Sequence, residues 1–299
     1  MATDRIGRAE AIVWEIIMQS NSNLFSPEVP AQYGIVQDHL SPDLVNPSHI
    51  QYSISFPLVP PGTLDQDEAY FFLDEGDGPQ KFRFHDYDEI YKRPNLYEQI
   101  FYRRLKCCSP SFVAQQLFDA MKQVDQEVHS LRVLDFGAGN GIMAEQLAHL
   151  GVARIVGVDI LEEAKVAALR DRPGIYDDYF VTDLADSRNP TLLELREWNF
   201  NCLTCVAALG FGDIPLNAMR HSLELIQPGG WVAFNIKDTF LGDTDQTGFS
   251  TYIRDLIFTS GLDLYSLIRY RHRLSIDGEP LYYFAIVARK PIKSGLPND

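Results

Sequence analysis

The chain is 299 residues long and 45% apolar, enough to bury the core of one large α/β domain with a substantial additional segment. Its formal net charge of -15 repels polyanions, and the densest basic cluster, Arg103, Arg104 and Lys106, is too short to reverse that; nucleic acid is disfavoured as a partner and a small neutral or cationic molecule is easier to accommodate. No apolar stretch reaches the roughly 18 residues of a membrane span, and the four cysteines, two of them adjacent at Cys107 and Cys108, make no disulfide framework, which points to a reducing cytoplasm.

In chain order, MATDRIGRAEAIVWEIIMQSN places charges before a short apolar run that Glu15 interrupts, with no small-residue cleavage site after it. It reads as an amphipathic N-terminal helix, not a signal peptide. Its apolar side around Ile12 to Ile17 can pack on the chain's own core or on a second copy, which would make a homo-oligomer. HIQYSISF then alternates Ile50, Tyr52, Ile54 and Phe56, and AYFFLDEGDGPQKFRFHDY reads as two aromatic strands around a Gly-rich turn, with Pro57, Pro60 and Pro61 breaking the segment into short pieces. Residues 1–106 are therefore expected to form an appended cap or lid with a small antiparallel β element, its boundary falling near residues 86 to 106.

From about residue 107 onward, strand-length apolar runs alternate with helix-length amphipathic stretches, the pattern of βα units around a parallel sheet. Strands are predicted at Arg132 to Phe136, Arg154 to Asp159, Tyr179 to Thr182, Cys202 to Ala207 and Trp231 to Ile236. Helices are predicted at Ile142 to Leu150, Glu162 to Arg170, Thr191 to Glu197 and Leu216 to Ile226, with Gly151 and the QPGG turn as stop signals. A helix near Ser250 to Ser260 follows. Two long runs, Leu264 to Leu274 and Leu281 to Ala288, close the chain, joined by SIDGEP, whose Asp277-Gly278 pair is a hairpin cue.

The chemistry concentrates in DFGAGNG, Asp135 to Gly141, where the first strand of the series meets the first helix. Glycine there lets the backbone turn sharply and lets a ligand approach without meeting a Cβ. The third glycine comes one residue too early for a dinucleotide loop, and a carboxylate two residues before the first glycine would repel a pyrophosphate. It suits a ligand with an ammonium group, such as S-adenosylmethionine. Asp159 and Asp183 follow at intervals of 24 residues, as expected if each carboxylate caps a successive βα unit on one edge of the sheet. Asp159 can accept from both hydroxyls of a ribose, and Asp183 from an exocyclic adenine amine, with Leu184 as an apolar edge for the ring.

DFGAGNG, VGVDI, VTDL, the PGG turn before Trp231 and the terminal run YYFAIVARK together resemble the class I S-adenosylmethionine-dependent methyltransferases over roughly residues 86 to 290. The resemblance implies a Rossmann-like, seven-stranded, mostly parallel sheet whose terminal hairpin inserts its last strand antiparallel, with residues 107–299 as the methyltransferase domain. It implies S-adenosylmethionine as cofactor and S-adenosylhomocysteine as product, held by Asp135, Gly137, Ala138, Gly139, Gly141, Asp159, Ile160, Asp183, Leu184 and Ala207. CVAALGFGDIP is similar to the loop that faces both cofactor and substrate in these enzymes. The chain departs from the family at Asn201, where an aspartate usually begins the fourth strand, a change that bears on packing.

The substrate side is thinner. His85, in FRFHDYDEIY, is either a general base or an ordinary polar residue at a strand end. Asp213 is the carboxylate best placed to meet a substrate, although Pro215 favours a helix N-cap role. Tyr87, Tyr91, Tyr97 and Tyr102 either line a pocket or pack in a core, and Lys237, at the edge of the fifth strand, either reaches the substrate or pairs with Asp238. Cys202 and Cys205 have C-x-x-C spacing inside an apolar strand without a second pair, which reads as buried thiols and no metal site. The expected function is methyl transfer to a nitrogen, oxygen or carbon atom of a small molecule. The alternatives are a protein side-chain methyltransferase, a nicotinamide-dependent oxidoreductase and a non-catalytic interaction module.

Overall fold

The computed structural model describes residues 50–60, 62–242 and 245–292. The amphipathic segment around Ile12 to Ile17, and the self-association expected of it, lie outside the described residues. The described residues form two sheets: a three-stranded antiparallel sheet in the N-terminal part and a seven-stranded, mostly parallel one. No helix among the described residues is long and apolar enough to cross a membrane.

The small sheet is built from β1 (Ser53–Ser55), β2 (Tyr70–Asp74) and β3 (Pro79–Arg83). The turn between β2 and β3 is fixed by the Asp74 carboxylate, which accepts the Gly76 and Gly78 N–H groups at 2.8 and 3.2 Å. Helix α1 (Tyr87–Lys92) and a π-helical segment, Glu98–Arg104, follow. Phe71, Leu73, Phe84, Ile90, Leu96, Ile100 and Leu105 make a separate core between them, so the aromatic alternation of this region builds a small packed unit of its own.

The large sheet comprises β4 (Arg132–Phe136), β5 (Arg154–Asp159), β6 (Asp178–Val181), β7 (Cys202–Leu209), β8 (Trp231–Lys237), β9 (Asp263–Leu274) and β10 (Pro280–Arg289), in the order β6-β5-β4-β7-β8-β10-β9. The first five are parallel; β10 enters antiparallel between β8 and the edge strand β9. The helices are α2 (Ser109–Lys122), α3 (Ile142–His149), α4 (Glu162–Asp171), α5 (Thr191–Glu197), α6 (Leu216–Glu224) and α7 (Phe249–Phe258). Period-two alternation splits each strand between the two covered faces. Leu134, Val156, Leu203, Val232 and Phe284 pack with α5, α6 and α7, whereas Val133, Ile155, Cys202, Trp231 and Ala285 pack with α2 and α3.

Chain order reverses between β4 and β7, and ligands of open α/β sheets bind in the crevice outside the carboxyl ends of strands at such a switch point. The expected fold class holds, as do the terminal hairpin and the buried, free thiols of Cys202 and Cys205, which burial pushes up in pKa. Asn201 serves the packing of the sheet. Its Oδ1 accepts the Arg132 N–H at 2.6 Å and its Nδ2 donates to the Ser130 carbonyl at 3.0 Å, tying the start of β7 to that of β4.

Candidate active site

The Gly-rich loop leaves β4 and crosses the end of β5. The Gly137 and Ala138 N–H groups donate to the Val158 carbonyl at 2.9 and 3.1 Å, and the Gly139 N–H donates to Asp159 Oδ2 at 2.9 Å. At two of its glycines any side chain would be strained. Gly137 has φ +70° and a Cβ there would lie 2.7 Å from the Ala208 Cβ; Gly139 has φ +53° and a Cβ would lie 2.5 Å from the Tyr91 hydroxyl. The other Asp159 oxygen accepts from the Leu161 N–H at 3.1 Å, and burial raises the pKa of this carboxyl against the backbone donors that lower it.

These groups form one wall of a cavity of about 280 Å³ at the switch point. Gly137, Ala138, Gly139, Asp159, Ile160, Asp183, Leu184 and Ala207 all line it. A second part of the lining comes from the N-terminal unit: His85, Tyr87, Tyr91 and Tyr102, together with Tyr97. Tyr87 and Tyr91 stack at 6.2 Å, and Tyr91 meets Tyr97 at 5.2 Å. Burial raises all four tyrosine pKa values, so these hydroxyls stay neutral.

Three expected site residues are absent from the lining of this cavity. Asp135 lies within β4, not past its end, and alternation sends its side chain to the sheet face that carries Val133, under α2 and α3. There Thr204, its partner on β7, donates to Oδ1 at 2.7 Å and Tyr176 donates to Oδ2 at 2.8 Å. The carboxyl is 1% exposed, and burial pushes its pKa up to about 7. Asp135 thus braces the loop from below. Gly141 caps α3 with φ 89° and packs near Ile175 and Tyr176. Lys237 points to a second cavity and over the Phe211 ring, 5.1 Å from its centroid, while Asp238 pairs with Arg269 at 2.9 Å, not with Lys237.

His85 and Asp213, 128 residues apart, meet on the cavity wall. His85 Nδ1 lies 3.2 and 3.0 Å from the two Asp213 carboxylate oxygens. An ionised carboxylate only accepts, so Nδ1 is the donor in this pair and Nε2 is the ring nitrogen left for another partner. Asp213 is not a helix cap: α6 begins after Pro215, which has no side-chain cap bond. The loop carrying Asp213 is positioned by an irregularity in β7, whose pairing with β8 jumps between Cys205 and Leu209. Ala207 has a left-handed φ of 58°, and its N–H is held by Asn235 Oδ1 at 2.7 Å. Asn235 Nδ2 in turn donates to Tyr270 Oη at 2.7 Å and Ser109 Oγ at 3.1 Å, so a buried polar network fixes strained backbone at the cavity.

Sequence reasoning missed the supports: Tyr176 and Thr204 under Asp135, Tyr179, which donates to the Gly139 carbonyl at 2.8 Å, and Asn235 under Ala207. Only Thr204 had a legible signal, as the residue level with Asp135 on the next strand. Among the described residues no group of His, Cys, Asp or Glu is arranged to hold a metal ion.

A doubly wound sheet with a glycine loop, a carboxylate at the end of the next strand and a cavity at the switch point defines a Rossmann-like protein of the nucleoside-binding kind. A family model described as a methyltransferase domain matches residues 96–268, more than half of the chain. The chain belongs to that family, the class I S-adenosylmethionine-dependent methyltransferases. Among curated proteins it is 32% identical over 106 residues to the ubiquinone biosynthesis O-methyltransferase of Bordetella pertussis, covering 35% of this chain and 42% of that protein. It is 34% identical over 106 residues to the protein of the same name from Chromobacterium violaceum, covering 35% and 43%. The chain thus spans about two fifths of the length of these relatives. Among solved structures it resembles the magnesium protoporphyrin IX methyltransferase of Synechocystis, at 16% identity and a TM-score of 0.43 over 60% of this chain and 79% of that one. It also resembles an N-methyltransferase of Bradyrhizobium japonicum in complex with S-adenosylhomocysteine, at 14% identity and a TM-score of 0.46 over 70% and 98%.

Proposed function

We propose that this chain transfers a methyl group from S-adenosylmethionine to a hydroxyl oxygen of a small molecule, with His85 as general base and Asp213 as its orienting partner. The observation that carries this reading is the His85–Asp213 pair on the wall of the cavity that the glycine loop and Asp159 also line. A nitrogen acceptor that is already nucleophilic needs no such base, whereas a neutral hydroxyl gains from losing its proton as it is methylated. The O-methyltransferase names of the curated relatives agree with an oxygen acceptor.

The residues present fit the cofactor. The Asp159 carboxylate has about four lone-pair sites and accepts backbone N–H groups of Gly139, Ile160 and Leu161, which leaves acceptor capacity for a ribose hydroxyl. Ile160 is 61% exposed although apolar and lines the cavity, so with Leu184 it offers the flat apolar surface an adenine ring would cover. Asp183 uses one oxygen to accept the Ala185 N–H at 2.7 Å and keeps the other for the adenine amine. Asp135 acts through the loop it braces. Bound there, S-adenosylmethionine supplies a methyl carried on a sulfonium. Nε2 of His85 takes the acceptor's proton, Asp213 stabilises the imidazolium so formed, and the tyrosine wall of the N-terminal unit encloses the acceptor and excludes water. That enclosure favours a small molecule over a protein side chain, and residues 50–106 act as the acceptor-determining cap.

Labelled methyl transfer from S-adenosylmethionine to a panel of phenols, alcohols and amines tests the reading. Transfer to hydroxyl acceptors that falls at least a hundred-fold in H85A supports it. Transfer confined to amines, or undiminished in H85A, would overturn it.

A further inference from the structure

Arg273, near the end of β9, is 4% exposed and has no carboxylate within ion-pair distance among the described residues. Three other enclosed arginines are paired: Arg172 with Glu98 at 3.0 Å and Glu145 at 3.3 Å, Arg170 with Asp171 at 2.6 Å, and Arg269 with Asp238 at 2.9 Å. Arg273 has one hydrogen bond among the described residues, from Nη1 to the Leu274 carbonyl at 2.8 Å, and the rings of Phe84 and Phe101 at 5.5 and 5.9 Å. A guanidinium carries five donors and does not shed its charge, so most of its hydrogen-bonding capacity is unspent. A desolvated, unpaired cation is costly, and a purely structural position would be filled as well by an apolar side chain.

The unspent donors face enclosed space. Arg273 and Gln66 both line two further cavities, of about 30 and 150 Å³. The smaller one shares His85, Tyr87, Ala207 and Asp213 with the main cavity, so the two spaces adjoin at the His85–Asp213 pair and Arg273 lines the smaller of them. Gln66 donates from Nε2 to the Tyr283 hydroxyl at 2.8 Å, and its buried Oε1 has no hydrogen-bond partner among the described residues. A stranded cation and a stranded acceptor thus border the same space. The larger cavity also carries Asp65 and Asp277, whereas the smaller one carries a single carboxylate, Asp213, which is hydrogen-bonded to His85.

We propose that Arg273 anchors a carboxylate of the methyl acceptor in the smaller cavity, so that the acceptor is a hydroxylated organic acid whose hydroxyl lies on the His85 side. This rests on the acceptor side of the methyltransferase reading. The planar fork of Arg273 matches a carboxylate, Gln66 Oε1 receives a donor from the same ligand, and the aromatic surroundings suit a ring between the two polar ends.

The test is calorimetric titration of para-hydroxyphenylacetate and its neutral amide into the protein saturated with S-adenosylhomocysteine. The wild type is expected to bind the carboxylate at least ten-fold more tightly than the amide, and R273M to lose that preference while keeping its affinity for S-adenosylhomocysteine and its melting temperature. Equal binding of the two probes by the wild type, binding of neither, or a preference that survives in R273M overturns the proposal. A merely structural Arg273 would instead lower the melting temperature of R273M and leave the preference intact; R273Q, which keeps a polar head, serves if R273M does not fold. Failure of S-adenosylhomocysteine itself to bind removes the methyltransferase reading and this proposal with it, whereas its binding without a carboxylate preference removes only the role of Arg273.

Discussion

The two walls of the main cavity are built in different ways. The wall formed by the ends of β4, β5 and β6 is backbone work: the loop hydrogen-bonds to Val158 and Asp159, and each carboxylate sits at a strand end or just past it. The wall that carries His85, the tyrosines and Asp213 is side-chain work, assembled from the N-terminal unit and the loop after β7. The first kind of wall recognises a ligand shared by many proteins of one fold, because βα units repeat the same geometry. The second is free to vary, and acceptor choice is expected to reside there.

If the walls divide labour in this way, variants should separate them cleanly. The largest effect is expected for H85A, a loss of about 10²- to 10⁴-fold in kcat with S-adenosylhomocysteine affinity unchanged; weakened product binding in a calorimeter would show that His85 serves the cofactor wall instead. Next is D159A, which removes charge-assisted hydrogen bonds worth about 1.5–3 kcal/mol each. Its affinity for S-adenosylhomocysteine should drop ten-fold or more, and an unchanged affinity would remove the ribose assignment.

A smaller effect comes from beneath the loop. The native Asp135 carboxyl has its pKa raised from 3.8 to about 7, so between those values the native state holds a proton that the unfolded chain has released. Stability contributed at this site therefore falls as pH rises through that window. Urea unfolding of the wild type and D135N should show the wild type losing ground to the variant by a few kcal/mol between pH of about 4 and about 8. A difference independent of pH would mean that the native and unfolded carboxyls titrate alike. The smallest effect is expected for K237A, within about 0.5 kcal/mol in stability and without change in cofactor affinity.

The same division explains what could be read from the sequence. Asp159 and Asp183 stand 24 residues apart because consecutive βα units deliver them to one edge, and the glycines mark the single loop that opens the series. Asp135 obeys the same interval yet turns away, because it falls one step inside β4 and alternation aims it at α2 and α3. Asn235, Tyr176 and Tyr179 carry no local signal, since their roles arise only when strands pair and loops fold back. His85 and Asp213 are each recognisable as polar groups near a strand end or loop, but nothing in the sequence between them, across a separation of 128 positions, announces that they meet. Arg273 reads as one more residue in an alternating edge strand. Its lack of a carboxylate partner among the described residues is a property of the packed molecule, which no local pattern in the sequence announces.

The division between the walls is tested most directly by calorimetric titration of S-adenosylhomocysteine into the wild type, D159A and H85A side by side. Binding by the wild type, at least ten-fold weaker binding by D159A and unchanged binding by H85A is the expected result. Equal affinities in all three, or a loss in H85A as large as in D159A, would contradict it.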